Sequence, residues 1–357
     1  MARLLSALLL AGLFIVAAPA RAFTPESGWW WNPAEGGTGF SLEIQDDFIF
    51  LVAFAYEDGG FPTWYGAQGR MADNAFFSAP LYQRENGTCL GCPFQPADPA
   101  FAIGENISID FTSESTANLT WAGRTIPVQR QDFFLSRNPA VDPKTELWLG
   151  EWQVVMDFIN VDSFEDYPFL GDVFVMDLLD TSSNPDFVEG CRPESSTVGV
   201  CDQFALDNHD IALYFSAPDQ TNIIVVNDSA DGWFVYEVEV GLYQFDGYMK
   251  SCPKSLTNLI TQCLDNNATY PVIPVRGWRS ASRAFIEGDD DAPNADGDPA
   301  KAGRESPVRS LVSRGGDFKL KAGVVPAAPR VRADVAASEA ALQQVIARMS
   351  NSERKSR

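Results

Sequence analysis

From Phe40 to Gln45 apolar and polar residues alternate, the period of a strand with one wet face. Phe48 to Tyr56 is apolar at both parities. Glu57-Asp58-Gly59-Gly60 then supplies a turn, and Thr63-Trp64-Tyr65-Gly66-Ala67 reads as the return strand. Further strands are predicted near Ala75 to Tyr82, Ile107 to Phe111, Ala117 to Trp121 and Thr125 to Arg130. A second set follows at Trp152 to Phe158, Val173 to Leu179, Ile211 to Phe215, Ile223 to Val226 and Trp233 to Tyr243. The pattern predicts an all-β chain: two antiparallel β-barrel or sandwich domains built as up-and-down meanders, followed by a disordered C-terminal tail.

Composition shifts place the boundaries. Met1-Ala2-Arg3, an apolar core from Leu4 to Ala18 and Ala20-Arg21-Ala22 read as a signal peptide over residues 1–22, cleaved after Ala22. Residues 23–137 form an aromatic-rich meander, 138–146 a linker around Asn138-Pro139, and 147–286 a second barrel-like unit. The tail, 287–357, has few apolar residues until Val335, Leu342, Val345, Ile346 and Met349, which keep helical spacing after Asp334 as N-cap and predict a short helix over 335–349. The mature chain is expected to be secreted or periplasmic, with no membrane span.

Two motifs resemble known families. Gly28-Trp29-Trp30-Trp31-Asn32-Pro33, then Gly37-Thr38-Gly39-Phe40 and Phe61-Pro62-Thr63-Trp64-Tyr65, look like a β-domain recurring in secreted proteins of proteobacteria. The resemblance covers residues 26–135 and implies a fold and a compartment, not a reaction. Leu147-Trp148-Leu149-Gly150-Glu151-Trp152 resembles the Gly-x-Trp start of lipocalin-like (calycin) barrels. In those barrels a first-strand Trp closes one end with an Arg from the last strand. That resemblance implies the part for Arg276 or Arg279, beside Trp278. Ile126-Pro127-Val128 closes the first unit as Ile273-Pro274-Val275 closes the second, a sign of duplication.

Charge divides the same way. Residues 23–300 hold 12 basic against 43 acidic residues, while 301–357 hold 12 basic against 5 acidic. An acidic body disfavours nucleic acid and anionic membranes as partners, since phosphate contacts need clustered Lys and Arg. The six cysteines fall into local pairs, Cys89 with Cys92, Cys191 with Cys201 and Cys252 with Cys263. In an exported chain these read as disulfides, although six cysteines allow 15 connectivities.

Catalytic signals are sparse. His209, the single histidine, sits in a polar turn, Asp207-Asn208-His209-Asp210. Glu151, Asp157, Glu165, Asp166, Asp172, Asp177, Glu237 and Glu239 offer carboxylate pairs for glycoside hydrolysis, but Glu237 and Glu239 alternate with apolar neighbours as on a strand's wet face. No cofactor and no metal are expected; an EF-hand register over 292–303 would put Ala292 and Gly303 at ligand positions.

The aromatic surplus points to binding. Trp29, Trp30, Trp31, Tyr56, Trp64 and Tyr65 form the candidate ligand site of a non-catalytic protein for a carbohydrate or small apolar ligand. The alternatives are an envelope or extracellular scaffold whose basic tail docks on anionic polymer or on its own acidic core, and a carboxylate hydrolase. The expected partner is thus a small ligand, a glycan or an envelope protein.

Overall fold

A computed structural model describes residues 23–72, 75–133, 142–162, 164, 168–182, 184–192, 210–216, 221–228, 231–282, 318–328 and 331–355. The predicted signal peptide, His209, Glu165, Asp166, Cys201 and residues 292–303 lie outside them.

The chain forms two closed eight-stranded antiparallel barrels. Barrel 1 comprises β1 (Gly28–Trp31), β2 (Gly39–Gln45), β3 (Phe48–Tyr56), β4 (Pro62–Arg70), β5 (Phe76–Gln83), β6 (Phe101–Phe111), β7 (Thr116–Trp121) and β8 (Arg124–Arg130). Barrel 2 comprises β9 (Gly150–Asp157), β10 (Phe169–Asp180), β11 (Phe187–Cys191), β12 (Ile211–Ser216), β13 (Thr221–Asn227), β14 (Gly232–Val240), β15 (Gln244–Pro253) and β16 (Ile273–Ala281). Neighbours in sequence are neighbours in space. β1 pairs with β8, and β9 with β16, so no edge is left open. The stretch predicted as one strand from Trp233 to Tyr243 is broken at Gly241, and β15 returns from there. Helix α1 (Pro143–Glu146), capped by Asp142, occupies part of the predicted linker.

Eight strands leave an interior just wide enough for side chains. Trp30, Phe40, Phe77 and Phe111 fill barrel 1; Trp148, Trp152, Phe174, Tyr236 and Phe245 fill barrel 2. The two are closed by the same device. Gly28 and Gly150 both have φ +136°, and a Cβ there would meet the guanidinium of Arg130 or Arg279 within 2.7 Å. Two residues on, Trp30 Nε1 donates to the Glu26 carbonyl (3.0 Å) and Trp152 Nε1 to that of Trp148 (2.8 Å). Of the two arginines left open by the sequence, Arg279 is the one that lies over the Trp152 ring, 4.3 Å from its centroid. It donates to the carbonyls of Leu149, Leu147 and Leu242.

The closed ends meet. Glu26 of barrel 1 is buried against the β14–β15 turn and accepts from the N–H groups of Leu242 (3.0 Å), Tyr243 (2.6 Å) and Gln244 (3.2 Å). Glu114, in the β6–β7 turn, stands beside it: a Cβ on Gly241 would meet both Glu114 Cγ and Glu26 Oε1 at 2.7 Å.

Within the tail, the described residues 318–328 and 331–355 lie against barrel 2. Phe318 packs on Phe158, Phe164 and Phe234 at the mouth away from Trp152. Arg332, fully buried, pairs with Glu237 (2.6 Å) and Asp265 (3.0 Å). Helix α2 (Val335–Lys355) extends the predicted 335–349; Asp334 caps it, accepting from the Ala337 N–H at 2.9 Å. Its Leu342, Val345 and Met349 cover Tyr214, Ile223 and Val225 on the outside of the barrel. The physical reason is complementarity. Alone the tail has too little apolar surface to fold, but the outer faces of β12 and β13 are themselves apolar and need a cover.

Candidate functional site

The six predicted aromatics separate by strand parity. Trp30 points inward and is fully buried; Tyr65 packs inside against Trp121, 5.4 Å between ring centroids. These two belong to the core, a correction to their place in the candidate site. Trp29 and Trp31 lie half-buried on the outer side of β1, while Tyr56 (56% exposed) and Trp64 (45% exposed) stand outward on β3 and β4.

The outward positions of β3 explain why that strand reads as apolar at both parities. Ile49, Leu51, Ala53 and Ala55 face the core, and Phe48, Phe50, Phe54 and Tyr56 face out. Register sets Phe54 between Gly39 on β2 and Trp64 on β4, and Val52 between Ser41 and Gly66. Trp29 lies across Gly39: a Cβ on Gly39 would sit 2.2 Å from Trp29 Cζ2. The Trp29 ring then meets Phe54 at 5.3 Å, and Gly37, with φ +97°, lies beside the Tyr56 ring. Gly37 and Gly39 are therefore part of the floor of an aromatic platform, Trp29–Phe54–Tyr56–Trp64, on the outside of a closed barrel. Polar groups border it. Gln68 and Glu43 flank Phe50, and Arg124 pairs with Glu35 (2.6 Å) beside the 32–38 loop. Phe54, a platform member, is not among the predicted six; its signal was the both-parity run Phe48 to Tyr56.

A second concavity runs along the outside of barrel 2. It encloses about 880 Å³ and is lined by Glu237, Glu239, Asp246, Tyr248, Arg276 and Trp278, among others, with Ala327 and Ala328 of the tail at one border. Of the carboxylates considered for hydrolysis, Glu237 is held by Arg332, Glu151 accepts from Ser280 Oγ (2.7 Å), and Asp172 is buried inside the barrel. Asp172 belongs to an interior polar cluster in which Arg192 pairs with Asp210 (2.9 Å) and Asp228 (3.4 Å). Burial, partly offset by Arg192, pushes the Asp228 carboxyl up to about 6. Among the described residues no group of His, Cys, Asp and Glu is arranged to hold a metal ion.

Cys89–Cys92 and Cys252–Cys263 are disulfides. Cys191 is also disulfide-bonded, and its predicted partner Cys201 lies outside the described residues. Among the described residues no helix is long and apolar enough to cross a membrane.

No family model, no curated protein and no solved structure matches the chain.

Proposed function

We propose that this is an extracytoplasmic binding protein that takes a carbohydrate on the outer platform of barrel 1. The observation that carries the reading is four aromatic side chains, Trp29, Phe54, Tyr56 and Trp64, held over a glycine floor on a rigid closed sheet, with three of the four rings more than 40% exposed. An exposed ring costs apolar hydration, and a set of them on one face marks an interaction site. Flat aromatic faces match the C–H faces of sugar rings, and the polar border supplies hydroxyl partners. Because the barrel interiors are filled by side chains, the ligand is placed outside them. Export is supported by the leader-like N-terminus and by the disulfides. The shared Gly-x-Trp closure supports a lipocalin-like origin for both barrels.

A glycan array followed by calorimetry with the best hit tests this. Saturable binding lost in Trp64→Ala and Tyr56→Ala, both exposed side chains whose removal leaves the melting temperature unchanged, is the expected result. Saturable binding that survives both substitutions would sink the reading.

A further inference from the structure

Between β5 and β6 the chain leaves barrel 1 for residues 84–100, every one of them exposed, yet this excursion is tightly ordered. Thr88 Oγ1 donates to the Gln95 carbonyl (2.9 Å) and accepts from the Gln95 N–H (2.8 Å). Asn86 Nδ2 donates to Asp98 (2.7 Å), Asp98 N to the Glu85 carbonyl (3.0 Å) and Cys92 N to that of Cys89 (3.0 Å), and the Cys89–Cys92 disulfide closes the turn. What this finger presents is apolar: Leu90 is 106% and Phe94 85% exposed, and no charged residue occurs from Asn86 to Ala97. At its base Tyr82 (39%) and Phe101 (44%) also face out. It springs from the start of β6, whereas Glu114 and the contact with barrel 2 follow the end of β6, so the finger lies at the free end of barrel 1.

We propose that this finger inserts Leu90 and Phe94 into the interfacial layer of a lipid surface that carries no net charge. Two features select lipid over a protein groove. Amphipathic and aromatic side chains, Tyr82 and Phe101, stand one step back from the tip, where headgroups would meet them. The tip has no charge to specify a partner, and the acidic body, 43 acidic against 12 basic residues over 23–300, repels anionic surfaces. Two apolar side chains, at roughly 1.5–3 kcal/mol each when buried, give weak, reversible anchoring below that of a single acyl chain. The inference does not rest on the sugar platform, which shares none of its tip residues.

The test is flotation with phosphatidylcholine vesicles of the chain from Phe23 onward, because the apolar leader would itself partition. The parent should float, equally at about 0.05 and 0.5 M salt since no charge is used, although the screening length falls roughly threefold between them. Leu90→Asp/Phe94→Asp should lower the partition coefficient about tenfold or more, with an unchanged melting temperature because both side chains are exposed. Trp64→Ala/Tyr56→Ala should float like the parent. A parent that stays with the soluble fraction overturns the proposal, including the case in which Leu90 and Phe94 instead mediate capture of a protein. A double tip variant that floats as well as the parent, or flotation abolished by salt, overturns it equally.

Discussion

Glu114→Gln should make the protein more stable at neutral and alkaline pH and leave it unchanged in acid. Glu114, 1% exposed, meets the carboxyl of Asp246 across the barrel junction, with Glu239 adding like charge. Beyond Glu114's own backbone N–H, no donor among the described residues reaches its carboxyl oxygens, so the hydrogen bond between the two acids needs a proton of their own. Burial first, and then the neighbouring acid, raise Glu114 well above the usual carboxylate range; burial also raises Asp246, opposed by Glu114 and by Arg276. A carboxyl whose folded pKa is raised stabilises the fold fully below its unfolded pKa, and that stability is lost as pH rises through the folded value. Two full charges in contact would cost up to about 4 kcal/mol at an effective dielectric of 20. A glutamine removes one charge and offers an N–H to Asp246, so the variant should gain roughly 1–3 kcal/mol above the pair's titration. At about 2–4 °C per kcal/mol for units of this size, calorimetry at pH 4 to 8 reads the difference directly. The gap between variant and parent should open as pH rises. A gap that is constant across the range would refute the shared proton.

Three further outcomes follow from buried contacts. Leu342→Ala, fully buried between α2 and the barrel wall, should cost roughly 2–5 kcal/mol in denaturant melts; no loss would mean that the helix is not held there in solution. Gly150→Ala, at φ +136° with the Ala281 carbonyl 2.5 Å from the new Cβ, should destabilise by more than about 1 kcal/mol, while the substitution at Gly36, with open space around it, should not. Lys250 is buried with its Nζ donating to the carbonyls of Cys263 and Leu264, and burial lowers its pKa to about 8 from the usual 10.5. Between those values the unfolded chain binds the extra proton, so parent stability relative to Lys250→Met should rise with pH there; a flat difference would contradict the buried ammonium.

The barrels were legible because their strands alternate: β2 and β7 show one apolar face, and Gly-x-Trp at Gly150 marks the closure of barrel 2, whereas the matching closure at Gly28 emerged only from the fold. β15 was not legible as a separate strand because the break at Gly241 is a close approach to Glu26 and Glu114, a tertiary contact. The docking of α2 was hidden for a related reason, since periodicity shows that a helix has an apolar face but not which barrel wall receives it. For the platform, residue type identified Trp29, Tyr56 and Trp64, whereas the separation of Trp30 and Tyr65 into the core required the register. Parity alone would have placed Trp30 opposite Trp29, had β1 been recognised as a strand. The finger was masked by its cysteines, which drew attention to pairing rather than to the exposed Leu90 and Phe94 beside them.

The central claim is that the outer aromatic platform of barrel 1 binds a carbohydrate. Tryptophan fluorescence of the parent and of Trp64→Ala, titrated with the strongest glycan-array hit, tests it most directly. The account predicts a saturable change in the parent and its loss in a variant that melts at the parent temperature. Saturable binding of equal strength in both proteins, or a parent that binds no glycan while fully folded, would contradict it.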